Sequence, residues 1–483
     1  MANIPSANVT ISAEAGALAG GTGYCVVIAP VAKNDDATPR VFSSWPAVLS
    51  VHGYAPGVDY AALHIGATGK PVLFVGVPIV VPGVVTQTDA SEVTGTSVVT
   101  ISVGENGALE ETDSSITVVK GGTVGTDDIR LLLSCDGGVT KKSVRLGTLS
   151  KYEIPYFGIT IEFGPGTLNV DDVVTFSTSA PKWDGDGIDA ARKGLSLQQK
   201  LARSWLVIGD IENSTEAKYI TEAVNTYETA KKRFTLARAN IRDRHDDEEM
   251  SIWVSAMDAA FASVDSQKRI SLGLGRLTKL SPITGWFLRR PVQWAASIRE
   301  YQHDIHHPTW AKEDGPLLDW GLEDADGRIA EYDDDNVGGA LAARFTCART
   351  WGNGPIGAFI AMDLTRADEA TALAYVHNMN VANVCCTVVQ TETENIIGKT
   401  PVLDSDGHPI ATEIAKLELG VNTDLEQTLL TEFVKGEGPR ASYARWTESP
   451  DDVLNVPDAA ITGIAELQVN GTVVHVNTLV AVS

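Results

Sequence analysis

The stretch from Tyr24 to Val77 restricts the fold more than any other region of the chain. It begins with the apolar run Tyr24-Cys25-Val26-Val27-Ile28-Ala29-Pro30 and ends with Pro71-Val72-Leu73-Phe74-Val75-Gly76-Val77. Runs this short and this apolar read as buried strands. Between them lie a turn-rich segment, Lys33 to Arg40, and the phrase Val41-Phe42-Ser43-Ser44-Trp45 with a short helical run to Leu49. Gly53 closes that run, and a second apolar helix, Tyr60-Ala61-Ala62-Leu63-His64-Ile65, leads through Gly69-Lys70 into the second strand. The order strand, loop, helix, turn, helix, strand defines an α/β unit. Its first turn has no phosphate loop and its strand ends have no paired carboxylates, so it reads as a building block rather than an enzyme.

At 483 residues the chain has room for about three domains of ~150 residues. Residues 1 to 23 are small, polar and glycine-rich, with Val9-Thr10-Ile11-Ser12 as one short strand. From Val85 to Ala180 the composition shifts to Thr, Val, Ser, Gly and Asp. Short β-favouring runs recur there, including Val98 to Ile101, Ile116 to Val119, Ile129 to Leu133 and Val173 to Phe176. This is the pattern of a β-sandwich or barrel, expected as an inserted domain. From Pro181 to Thr365 strands alternate with helices again: helix Ile188 to Leu201, strand Trp205 to Gly209, a helical pattern from Ala217 to Phe234, helix Ile252 to Val264 and strand Ile270 to Leu274. Such alternation predicts a sheet covered on both faces. The segment Arg289 to Asp335, rich in Trp, His and Asp, reads largely as loop.

Beyond Thr365 the chain predicts a helix start at Thr365-Arg366-Ala367-Asp368, a strand Val384 to Val389, and a helix opened by the capping box Thr423-Asp424-Leu425-Glu426. It closes with Ala465 to Val469, Asn470-Gly471 and Thr472 to Val476, where Asn-Gly between alternating strands signals a hairpin. Leu479-Val480-Ala481-Val482 continues as an apolar tail that needs cover.

The net charge of −24 repels phosphate backbones and disfavours nucleic acid as a partner. It suits solubility at high local concentration, with attraction to a basic partner surface as the second reading. The N-terminus lacks a basic region before an apolar one, and no apolar run approaches the ~18 residues of a membrane span. The chain is therefore expected to be made and folded in a cytoplasm, without membrane insertion. Five cysteines, Cys25, Cys135, Cys347, Cys385 and Cys386, show no metal-ligand spacing. Buried thiols are one reading. Bonds between neighbouring subunits, formed on leaving a reducing cytoplasm, are the other. Cys385 and Cys386, adjacent on a strand, would point to opposite faces.

Candidate chemistry is sparse. His303, His306 and His307 invite a metal, but Pro308 follows at once and no third ligand is marked. Asp324-Ala325-Asp326-Gly327 and Asp404-Ser405-Asp406-Gly407 echo calcium loops, yet Leu322 and Val402 occupy the first ligand positions, and turns explain both better. Asp184-Gly185-Asp186-Gly187 reads as a linker turn, and Asp246-Asp247-Glu248-Glu249 as a solvated helix start. Gly20-Gly21-Thr22-Gly23 precedes a strand, whereas a phosphate loop follows one; Gly273-Leu274-Gly275-Arg276 follows one but lacks the rest of that motif. No catalytic, cofactor-binding or metal-binding residue is assigned. Trp286, Trp294, Trp310 and Trp320, with Tyr301, form either a core or interface cluster or a sugar platform.

The segment Phe42-Ser43-Ser44-Trp45-Pro46-Ala47-Val48, the glycine Gly53 and the strand Gly69 to Val77 resemble the N-terminal region of contractile-tail sheath proteins of bacteriophages. The close match covers roughly a tenth of the chain, and domain order extends it loosely. The resemblance implies a virion structural subunit, not an enzyme, with no cofactor. It would polymerise as stacked hexameric rings around a tail tube and contract to drive the tube through the host envelope, leading to genome ejection. The implied partners are further copies of the chain, the tail tube protein, and baseplate and tail terminator proteins. The implied division is an N-terminal arm (1–24), a first section of the α/β core (25–85), an inserted outer β domain (86–180), an α/β domain (181–365), a C-terminal core domain near the tube (366–468) and a C-terminal arm (469–483). The arms would exchange strands between subunits. The alternative, resting on the β-rich insertion and the tryptophans, is a virion surface adhesin or carbohydrate-binding protein.

Overall fold

The structure, a computed structural model, describes residues 6–11, 23–198, 202–245, 248–264, 267–303, 305, 307–321, 339–350, 357–368, 371–394, 402–433, 443–446, 459–469 and 472–482. In chain order its body begins after strand β1 (Ser6–Ile11) with β2 (Tyr24–Pro30), β3 (Arg40–Phe42), α1 (Trp45–His52), α2 (Pro56–Thr68) and β4 (Val72–Val77). This is the order read from the sequence but for β3, a short edge strand where the sequence read as a loop. Proline at the first turn of α1 and of α2 costs no helical hydrogen bond. Gly69 ends α2 in a left-handed conformation, φ 66°, that only glycine adopts without strain. Gly57 lets α2 lie directly on β2: a Cβ there would sit 2.2 Å from that of Ala29.

After the β-rich segment come α3 (Gly185–Ser196), β5 (Ala202–Val207), α4 (Ser214–Lys231), β6 (Leu236–Asn240), α5 (Met250–Phe261), β7 (Ile270–Gly273), β8 (Arg276–Leu280), β9 (Phe287–Pro291) and α6 (Val292–Gln302). One six-stranded sheet, in the order β7-β6-β5-β2-β4-β3, joins both halves of the chain. All its pairings are parallel except β3 against β4. One face buries Val26, Leu73, Trp205, Ile220, Tyr227 and Trp253 under α3, α4 and α5. The other buries Val27, Phe74, Tyr60, Trp294 and Ile298 under α2 and α6. Cover on both faces is what parallel strands require.

Strands between Val85 and Thr178 pair with one another in sheets of five, three and two. The strand Thr112–Lys120 alternates buried and partly exposed residues, as one wall of a packed pair of sheets does. Its core of Ile116, Leu131, Phe157, Ile161 and Phe176 also takes in Trp286, Leu288 and Tyr54 from the body.

Several expectations are corrected. Arg289 to Asp335 is not largely loop where described: it contributes β9 and α6. Asp184 is no linker turn but the N-cap of α3, its Oδ1 accepting from the Gly187 amide at 2.9 Å. The strand expected at Val384 to Val389 lies inside helix α7 (Val376–Glu394). The helix start at Thr365 is displaced to Val376. The capping box at Thr423 lies inside α8 (Ala411–Phe433), where the Thr423 hydroxyl donates back to the Leu419 carbonyl at 2.7 Å instead of capping. The chain ends with β10 (Tyr443–Trp446), β11 (Ala459–Val469) and β12 (Thr472–Val482).

Candidate functional site

The two ends of the chain meet in one four-stranded antiparallel sheet, ordered β1-β12-β11-β10. β11 and β12 pair antiparallel, as the expected hairpin requires, with Val469 opposite Thr472; Asn470 and Gly471 lie outside the described residues. β1 adds to the far side of β12, with Ser6 opposite Ala481 and Ile11 opposite Val476. Main-chain hydrogen bonds carry such an addition and leave β1 and β10 as the sheet's edges. Helix α7 lies against β1 and β12 on one side and against β5 and β6 on the other.

Where α7 crosses β5 and β6, it meets a buried ionic network. Arg238 of β6 is fully buried and forks onto Asp363 at 2.8 and 2.7 Å. It also donates to Glu300 of α6 and to Gln293, both at 2.8 Å. Glu300 lies 3.1 Å from Arg203 of β5 and accepts from Asn380 of α7 at 2.8 Å. Two arginines and two carboxylates balance within this dry space, so each charge is tolerated only because the others are present. Next to it Arg269 pairs with Glu228 and donates to Asn383 of α7 at 2.6 Å.

At the carboxyl ends of the parallel strands lies a cleft of about 610 Å³, roofed by the β-rich segment. This is where α/β sheets generally place ligands. Asp210 follows β5, Asp243 follows β6 and Arg276 opens β8. Arg276 pairs with Asp210, with Glu111 of the roof at 2.8 Å and with Asp243 at 3.5 Å. Burial raises the Asp210 carboxyl to about 7; Arg276 pulls it down while Glu111 and Asp243 push it up. Deeper in, Arg290 bridges roof and body, bonding Glu110 at 2.8 and 2.9 Å and Asp59 at 2.6 Å. Tyr54 donates to Glu110 at 2.5 Å, and Lys142 of the roof sits 3.7 Å over the Trp286 ring. The acids and bases of the cleft pair among themselves, which makes it a tied junction.

Other residues flagged by sequence fall as follows. All five cysteines are buried free thiols. Burial lifts Cys25 and Cys135 to about 12 and pushes the thiols of Cys347, Cys385 and Cys386 up as well. A bond between subunits through any of Cys25, Cys135, Cys347, Cys385 or Cys386 thus requires that residue to surface on assembly. Trp286, Trp294, Trp320 and Tyr301 are buried in the two cores, and Trp310 packs on Tyr375 and His377. They form no exposed platform. His303 and His307 stack 4.6 Å apart, and Asp314 joins them to make a three-residue cluster. His306, Asp324 and Asp326 lie outside the described residues. Asp404 accepts from the amides of Asp406 and His408, each at 2.9 Å, forming the expected turn. Glu248 is held by Arg242 through two bonds of 2.9 Å. Gly273 leads through Gly275 into strand β8, not into a helix.

Sequence reading missed Asp314 and both ionic clusters. One signal was present: Arg238 interrupts the otherwise uncharged strand Leu236-Ala237-Arg238-Ala239-Asn240, which is buried throughout.

No protein-family model matches the chain, and no curated protein matches it. Among solved structures it is similar to a sheath tail protein from Listeria innocua, with a TM-score of 0.47 and 9% identity over 96% of each chain. Among the described residues no helix is long and apolar enough to cross a membrane.

Proposed function

We propose that the chain is a structural, non-enzymatic subunit of a contractile tail sheath. The observation that carries this reading is the sheet built from both chain ends. β1 is held by main-chain pairing to β12, and any copy's β1 can make those same bonds. Eleven residues, 12–22, separate β1 from the body, a length that spans at most ~40 Å. A neighbour within that reach can receive the strand, a swap that needs no new contact chemistry. The resemblance of Tyr24–Val77 to phage sheath proteins points the same way.

In the full form of this reading, subunits stack as hexameric rings around a tail tube protein, bounded by baseplate and tail terminator proteins. The chain then divides into arms 1–24 and 469–483, core sections 25–85 and 366–468, an outer β domain 86–180 and an α/β domain 181–365. Contraction exchanges one set of subunit interfaces for a more favourable set while each body moves rigidly. The subunit resides in the virion after assembly in the host cytoplasm.

The test uses the register. Val9 lies opposite Thr478. Two single variants, Val9→Cys and Thr478→Cys, are mixed under assembling conditions and oxidised. A bond between them forms only when the two strands come from different chains. A covalent dimer on a non-reducing gel, formed only in the mixture, with tubes under the electron microscope, supports strand exchange. Cross-linking confined to the double variant within one chain, with no tubes alongside the tube protein, overturns it.

A further inference from the structure

We infer that His303, His307 and Asp314 form a binding site for one zinc-like divalent transition-metal ion, a property beyond the proposed sheath role. The ligand atoms of the three residues lie within 4.8 Å of one another. Oδ2 of Asp314 is 2.6 Å from Nε2 of His307 and 3.6 Å from Nε2 of His303. Bonds of ~2.0–2.1 Å in a tetrahedron put ligand atoms ~3.4 Å apart. The longer distance already fits, and the shorter one has to open by less than ~1 Å. The two imidazoles stack with an interplanar angle of 27°, so at least one ring has to turn for both in-plane lone pairs to meet on one ion.

The donor set decides the class of ion. Two imidazoles and one carboxylate suit zinc, cobalt or nickel, whereas calcium and magnesium require mainly oxygen. The side chains are 30%, 23% and 11% exposed, so an ion can enter and a water can fill the fourth position. Arg299 opposes binding, because its Nη2 stands 3.6 Å from Asp314 Oδ2. Its shorter bond runs to the Gly315 carbonyl at 2.9 Å. Asp314 is therefore shared with the arginine at a distance a metal can outbid.

The placement gives the ion a mechanical role. His303 caps the carboxyl end of α6, and Asp314 ends the short 3-10 turn Lys312–Asp314. Between them Trp310 packs on Tyr375 and His377, and Thr309 donates to Asp363 at 3.0 Å. An ion at this point would tie the segment after α6 to α6 itself and brace its contact with the start of α7.

The test titrates the untagged full chain with cobalt(II) and follows visible d–d absorption, then displaces cobalt with zinc in a calorimeter. One equivalent is expected. Affinity should fall by about tenfold or more in His303→Gln and in His307→Gln, and stay unchanged in His408→Gln. Arg299→Gln should tighten binding. Should the variants fail to fold, zinc must still protect His303 and His307, but not His245, from diethyl pyrocarbonate in the unaltered chain. Absence of stoichiometric uptake, uptake that survives the double His303→Gln/His307→Gln change, or absence of protection overturns the site.

Discussion

Arg238 is the residue whose loss the fold should feel most. Its guanidinium meets Asp363, Glu300 and Gln293 with no water-facing surface. Glu300→Gln leaves Arg238 and Arg203 sharing one fewer buried negative charge, and breaking a buried pair in this way costs about 3–5 kcal/mol. Urea unfolding should show the midpoint fall at unchanged slope. Replacing both arginines, Arg203 and Arg238, and both acids together by apolar residues should recover some of that loss. The thiols make a second prediction at this scale. A thiol lifted to about 12, as at Cys25 and Cys135, is almost wholly protonated at pH 8 and sealed from reagent. Ellman's reagent should therefore titrate none of the five in the native single chain and all five in denaturant. Fast reaction of one thiol in the native chain would mark the cysteine able to link subunits.

At the scale of elements, the junction between the β-rich roof and the body depends on the protonation of Asp210. Its carboxyl, at about 7, lies above the ordinary 3.8. Between those values the folded chain holds a proton that the unfolded chain has released. Stability from this group is therefore fully present below about pH 4 and lost as pH rises through 7. Asp210→Asn mimics the protonated form. The difference in melting temperature between variant and parent should favour the variant at pH 8, shrink as pH falls through 7, and vanish only below about pH 4. A variant that melts lower at pH 8 would mean Arg276 and Lys182 keep Asp210 charged against Glu111, Asp243 and Glu212. The elements themselves differed in how legible they were. In Tyr24 to Val77 the two buried strands and both helices were legible because the strands are uniformly apolar and the helices end at glycine, whereas β3, three residues containing Arg40, was too short and polar to read. Helix α7 was read as a strand because Val384, Cys385, Cys386, Thr387, Val388 and Val389 favour strands. The helix is buried nearly all round, between the central sheet and the terminal sheet, so no 3.6-residue period survives in its sequence. Contacts far apart in sequence were invisible for a similar reason. Glu111 meets Arg276 across 165 positions, and no local pattern encodes that meeting.

For the whole molecule, charge and terminal pairing pull in opposite directions. Each copy carries a net charge of −24, so copies brought side by side repel unless salt screens them. The screening length shrinks from ~30 Å at 0.01 M to ~8 Å at 0.15 M salt. Pairing of β1 to β12 runs through main-chain groups and is nearly indifferent to salt over this range. The concentration needed for assembly should therefore fall severalfold from low to physiological salt, read by light scattering and sedimentation. Removing residues 6–11 should abolish that assembly at every salt concentration. It should leave the melting of the body unchanged because, among the described residues, the apolar cores of the central sheet and of the β-rich segment are built between Cys25 and Ala361. Assembly that weakens as salt rises would instead show that complementary charged faces, not the strand, hold the copies together. A deletion that lowers the body's own melting temperature would show that β1 serves chiefly to cover α7 within its own chain.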